Sequence, residues 1–292
     1  MRGPPTWYSV LTADRFILFE FPGCLHLARG YEAVDEVRPT KSVTFTGSGA
    51  LDEEKERAWA AEMADLITEL VGKRGTTLGL ERMNANVAVG LRDHGLNIVD
   101  AQKAIEMART VKSPEKMKRI TASLQAIEVA VGNFRDAVRP GLTKNELWSV
   151  MHESVIEQNY DHVETHLLSA GPRTNPWFQE SVSYVIKENE LVALDTGVVG
   201  CHGFYSDVSR TFHTGPGPPS DEHRELYKAA YEQMHHNMGI LKPGLTFREY
   251  AEQAWDIPEQ YWASRYFLSA HRCGLTGEYP YLYHRGEFPN AG

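Results

Sequence analysis

A chain of 292 residues with net charge −9 and no long basic run is a poor match for a nucleic-acid backbone. Its 42% hydrophobic and 24% charged residues describe an ordinary globular protein, and no apolar stretch approaches membrane-spanning length. Three scattered cysteines, Cys24, Cys201 and Cys273, exclude a disulfide framework and a Cys-rich zinc site. With an opening that does not read as a secretory signal, they predict a reducing, cytoplasmic compartment.

Residues 15–45 read as short strands and turns, beginning with "RFILFEF". "EEKERAWAAEMADLITELVG" places Trp59, Met63, Leu66, Ile67 and Leu70 on one helical face. "TTLGLE" predicts a strand, "NANVAVGLRDHG" a helix and "LNIVDA" another strand, so residues 1–111 form a small α/β domain. The glycine-rich "TGSG" at 46–49 and "GPGPP" at 215–219 lack phosphate-loop spacing and predict turns.

A second domain, 112–292, opens at "VKSPEKMKRI", with Ser113 as N-cap and Pro114 at the first helical position. Met117, Ile120, Leu124, Ile127, Val131 and Phe134 follow at amphipathic spacing. This domain echoes itself: "PGLTKNEL" and "PGLTFREY" begin at Pro140 and Pro243, 103 residues apart. Thr143 with Glu146, and Thr246 with Glu249, are capping boxes, each after a long amphipathic helix, which predicts a duplicated fold. By the same repeat, a partner for the hairpin described next falls at roughly 298–310, beyond Gly292, so the sequence is expected to be a fragment.

That hairpin is "LVALDTGVVGCHGFYSDVSRTF", residues 191–212, with Asp195 and Asp207 twelve residues apart. A Gly-rich turn near Cys201 would set the two acids opposite each other, with Cβ atoms about 5 Å apart. Like charges so placed need a divalent cation or a shared proton between them; the alternative is exposed strand-end acids, or Asp207 paired with Arg210. A metal needs further ligands, and His271 in "YFLSAHRCGLTGEYP" offers an imidazole suited to Zn, Mn, Co or Fe. "HVETH" spaces His162 and His166 four apart, but lacks the glutamate directly after the first histidine that the zinc-protease helix requires.

The Asp–Thr–Gly strand end, the "YSDVSRTF" run, the His–x–x–Gly segment and the phrase "MARTVKSPEKMKRI" together resemble the creatinase/prolidase/aminopeptidase P family, the M24 metallopeptidases. The resemblance covers nearly the whole chain. It implies an α+β fold: a small N-terminal α/β domain, then a "pita-bread" domain with pseudo-two-fold symmetry, incomplete at its C-terminal end. It implies a dinuclear divalent metal centre (Mn, Co, Zn or Fe) with Asp195, Asp207 and His271 as ligands. Two further glutamate ligands lie on later strands in the family; after His271 this chain has Glu278 and Glu287.

Peptidase members carry a histidine after a proline where "GPRTNPWFQE" has Trp177 after Pro176. That phrase, the aspartate spacing and Tyr266 five residues before His271 are similar to the family's dimethylsulfoniopropionate lyase branch. The lyase branch uses additional acids near the first aspartate and after the histidine, where Gly197 and Gly277 stand here. The resemblance therefore implies a metallohydrolase cleaving a C–N bond in a short peptide or small molecule. A lyase releasing dimethyl sulfide and an inactive binding protein are the alternatives. His271 and Tyr266 are the expected catalytic residues, with Trp177 and Tyr266 against substrate. A homodimer without nucleic-acid or membrane partners is expected by the same likeness.

Overall fold

The computed structural model of the protein describes residues 7–285 and Glu287. It divides into two compact units, one ending at Ile105 and one beginning at Glu106.

In the first unit, strand β1 (Tyr8–Leu11) pairs antiparallel with β2 (Phe16–Glu20), which runs parallel to β3 (Glu36–Pro39). The "TGSG" turn expected from its glycines is instead part of a short helix, α1 (Phe45–Ser48), because the Thr44 side chain accepts from the Gly47 N–H and caps it. Helix α2 (Asp52–Val71) has three acids in its first turn and left-handed Gly72 at its end, both suited to the helix dipole and its orphan carbonyls. Its Trp59, Met63, Leu66 and Ile67 are buried, as their spacing predicts, and Leu70 is partly buried. Strand β4 (Thr77–Leu80), helix α3 (Ala85–Asp93) and β5 (Asn97–Asp100) make a parallel βαβ unit. Helix α4 (Gln102–Thr110) contains the dividing point.

The second unit begins with α5 (Pro114–Ala137), capped by Ser113 and carrying Pro114 in its first turn. Ile120, Ile127 and Phe134 are buried, and Leu124 and Val131 pack against the core. Met117 is 49% exposed, because the apolar stripe starts one turn before the core does. Helix α6 (Lys144–Glu157) opens on the expected capping box, with Glu146 accepting from the Thr143 N–H. Buried Lys144 donates from Nζ to the Leu168 and Glu180 carbonyls, tying this helix start to the sheet. Burial, then nearby Arg173, lowers its pKa to about 8.

Strand β6 (His162–Val163) leads to β7 (Leu167–Ala170), β8 (Leu191–Thr196), β9 (Val198–Val199) and β10 (Val208–His213). β7 and β10 flank β8, both antiparallel, and β6 pairs with β9. Helices α5 and α6 cover this sheet through Phe134, Leu147, Met151, Leu168, Val192 and Leu194, all buried. The second half of the repeat follows as α7 (Asp221–Ile240), α8 (Phe247–Gln253) and α9 (Glu259–Trp262). Thr246 and Glu249 close the second capping box at α8. The strands β11 (Leu268–Cys273) and β12 (Gly277–Tyr283) then form an antiparallel ribbon whose register shifts between His271 and Arg272.

One ion pair anchors that ribbon. Glu278 is 2% and Lys112 7% exposed at the side chain, and the Lys112 ammonium contacts the carboxylate, which also accepts from the Leu275 N–H. Burial opposes the charge on Glu278, but Lys112, the Leu275 N–H and Arg109 outweigh it and hold its pKa below the usual value. Lys112→Met is therefore expected to destabilise the protein by about 3–5 kcal/mol, because it strands a buried carboxylate. Urea denaturation checks this, and an unchanged midpoint would show the pair to be dispensable.

Candidate metal centre

β8 and β10 set Asp195 opposite Ser209 and Thr196 opposite Val208. The direct opposition of Asp195 and Asp207 expected from the sequence does not form. Asp207 precedes β10, two residues before Ser209, and so lies diagonal to Asp195. The connection is asymmetric: β9 turns aside to pair with β6, and a tight turn, Cys201–Gly203, with His202 at φ 56°, occupies the apex. The two acids still share one electrostatic environment. Burial raises the Asp195 pKa, the Ser209 hydroxyl donating to Oδ1 at 2.7 Å opposes this, Asp207 raises it further and His271 relieves it.

A backbone bond from Tyr205 N–H to the Gly274 carbonyl, 2.8 Å, brings the segment before Asp207 against the end of β11. His271 Nε2 then lies 3.1 Å from Asp207 Oδ2, with the two side chains 30% and 28% exposed. Asp207 is therefore neither a free exposed acid nor paired with Arg210, which donates to the Ser209 carbonyl. His271 Nδ1 faces the Arg272 carbonyl at 3.2 Å, which makes Nδ1 the donor and turns Nε2 toward the carboxylate. A lone pair on Nε2 so close to a carboxylate oxygen requires a proton or a metal ion between them. In the metal-free state it is the proton, and the bond to Asp207 raises the His271 pKa against the effect of burial.

Cys273, two positions along β11 from His271, completes a cluster that sequence reading did not anticipate. One ligand atom each from Asp207, His271 and Cys273 lie within 4.8 Å of one another, and Asp195 stands outside this group. Burial, then Asp207, raises the Cys273 thiol to about 11.

A further carboxylate, Glu164, was also missed. Its N–H donates to the Gly197 carbonyl at 2.8 Å, which fixes it beside β8. Burial raises its pKa, Asp207 and Asp195 raise it further, and His162 and His271 lower it. Glu164 is the central residue of "HVETH", an acid between two histidines four apart, so the sequence carried a signal for it. His166 instead packs on Trp148, ring centroids 4.6 Å apart, with Nε2 buried and unpartnered among the described residues.

Tyr266 flanks the acids. Burial raises its pKa, and Asp195, Tyr281 and Asp207 raise it further. The ring stacked on it, at 5.6 Å, belongs to Phe178, whose φ of 71° is a strained conformation for a non-glycine residue. Trp177 beside it is half-buried, and Asn175 Nδ2 reaches Ser264 Oγ at 3.4 Å, so the 175–178 segment borders the Tyr266 loop. Gly197 and Gly277 mark close approaches. A Cβ at 197 would stand 1.8 Å from the Ser206 carbonyl oxygen, and one at 277 would stand 3.1 Å from Tyr205 Oη. An acid at 197 has no room in this backbone.

Carboxylate, imidazole and thiol donors on adjoining strands fit a divalent transition metal better than Ca or Mg. No helix among the described residues is long and apolar enough to cross a membrane.

The site is thus a candidate metal centre of carboxylate, imidazole and thiol groups within a pita-bread architecture. The backbone superposes on an Xaa-Pro dipeptidase from Bacillus anthracis with TM-score 0.77 over 98% of this chain and 76% of that one, at 18% identity. A prolidase from Pyrococcus furiosus gives 0.76 over 95% and 76%, at 19% identity. These establish the fold. The chain belongs to metallopeptidase family M24, whose sequence profile matches residues 118–290.

Among curated relatives, the dimethylsulfoniopropionate lyase DddP of Roseovarius nubinhibens is 32% identical over 228 residues, 76% of this chain and 51% of the relative. An Xaa-Pro dipeptidase of Lactobacillus helveticus is 30% identical over 189 residues, 60% of this chain and 47% of the relative. The chain thus spans about half the length of these relatives.

Proposed function

We propose that this chain is the metal-binding part of an M24-family lyase that acts on a small carboxylate bearing a cationic sulfonium group, as the name of its DddP relative suggests. The observation that carries this reading is the Tyr266–Phe178 aromatic pair, with Tyr266 in the field of Asp195 and Asp207. An aromatic face in an anionic field attracts a cation, by about 0.5–2 kcal/mol. Trp177, adjacent to Phe178 in sequence and half-buried, would add a further aromatic face.

Asp207 and His271 would hold the metal with Asp195 nearby, and the ion would grip the substrate carboxylate and acidify its α-carbon. Glu164 is the group to accept the α-proton, because burial and neighbouring acids raise its basicity above that of an ordinary carboxylate. The C–S bond then breaks, dimethyl sulfide leaves with the bonding electrons, and the carbon skeleton departs as acrylate. The Tyr266 hydroxyl would orient the substrate.

A second reading, hydrolysis of a peptide C–N bond, is favoured by the likeness to Xaa-Pro dipeptidases. One assay separates the two. The metal-loaded protein is expected to release dimethyl sulfide from dimethylsulfoniopropionate, with KM raised about 10-fold in Tyr266→Ala. Cleavage of an Xaa-Pro dipeptide without dimethyl sulfide would establish the hydrolase instead.

A further inference from the structure

We infer that Cys273 is a metal ligand, so that the ion is held by an Asp207–His271–Cys273 triad including a thiolate. This deepens the metal-dependent reading above and rests on it. His271 and Cys273 lie two residues apart on β11, on either side of its register shift, with their ligand atoms brought together on one side of the ribbon. The Tyr205 N–H to Gly274 carbonyl bond swings Asp207 against that face. The three ligand atoms lie within 4.8 Å of one another, against about 3.5 Å between ligands of a tetrahedral zinc ion, so a small inward rotation of the side chains closes the site.

The surroundings support a coordinating sulfur. Tyr205, 4% exposed, brings its hydroxyl to the same end of the ribbon, where it is available to orient a metal ligand. Gly277, paired with Cys273 across the ribbon, leaves room for that hydroxyl, since a Cβ there would stand 3.1 Å from it. Three protein ligands of mixed hardness leave a fourth position open, as catalytic zinc sites do. A thiolate also narrows the metal: Zn or Co should be preferred over Mn.

Co(II) titration of the metal-free protein tests the assignment without any turnover measurement. The first equivalent is expected to develop a near-ultraviolet sulfur-to-cobalt charge-transfer band. The band should persist in Cys24→Ser/Cys201→Ser and vanish in Cys273→Ser. Outer partners of a ligand alone are worth about 10–100-fold in affinity, so Cys273→Ser should weaken cobalt binding at least about 100-fold. Prolonged iodoacetamide labelling of the unaltered protein gives a readout independent of any variant, with Cys273 alkylated slowly in the metal-free state, as a raised thiol pKa requires, and shielded by Co(II). Cobalt binding without a sulfur band, unchanged in Cys273→Ser and with Cys273 still labelled, overturns the thiolate while leaving the metal centre in place. Failure to bind cobalt at all overturns both.

Discussion

Asp207→Asn is expected to abolish stoichiometric loading with Zn, Co or Mn, lowering affinity by at least about 100-fold. Asp207 is the residue on which the cluster converges. Its Oδ2 meets His271 Nε2 at 3.1 Å, and its charge reaches Asp195, Glu164, Tyr205, Tyr266 and Cys273. The same substitution removes a charge that crowds two carboxylates with raised pKa values, so the metal-free variant should melt no lower than the unaltered protein at pH 7. That combination distinguishes a lost ligand from a lost fold. Metal analysis after dialysis and a thermal melt together decide it, and an Asp207→Asn protein that keeps its full metal complement would refute the role.

The pH dependence of loading has a definite sign. Asp195, Glu164, His271 and Cys273 all hold their protons to higher pH than such groups ordinarily do, and a bound cation would displace protons from the ligands among them. Affinity is therefore expected to rise with pH and to fall on acidification through the raised values. In the metal-free fold, the raised Asp195, Glu164 and His271 values contribute stability that is present below their unfolded values and is lost as pH climbs through the folded ones.

Gly197→Ala should be the most damaging single methyl group in the second unit. The added carbon would sit 1.8 Å from the Ser206 carbonyl oxygen and 3.0 Å from the Tyr205 ring, and the nearer of these is backbone that cannot rotate away. Relief requires separating the chain on either side of the turn. That would strain the Ser206 N–H to Val198 carbonyl bond and the Glu164 N–H to Gly197 carbonyl bond. Overpacking of this kind costs about 3 kcal/mol or more, and here it displaces Asp207 and Glu164 together. The expected outcome is a lower melting temperature with loss of metal binding. A variant that melts normally and loads metal would show that the close approach relaxes readily.

Local signals legible in the sequence were those that need no partner. Ser113 before Pro114 and the two Thr–x–x–Glu boxes depend on bonds within one helical turn, and they form as expected. The stripe of α2 and most of that of α5 follow from helical period alone, failing at Met117 because a period cannot say where the core begins. The composition of the centre was half legible. Asp207 and His271 stand on run-like segments with recognisable neighbours, and the fold brings them to 3.1 Å.

What the tertiary structure decided was register and convergence. An even spacing of twelve between Asp195 and Asp207 suggested direct opposition, yet β9 leaves to pair with β6 and the acids end up diagonal. Pairing with a distant strand is invisible in a local pattern. Glu164 and Cys273 entered the centre by the same route, one through its N–H on Gly197 and the other through the Tyr205–Gly274 bond. Each of those bonds joins segments tens of residues apart, and the free energy that selects them is spread over the whole packed sheet.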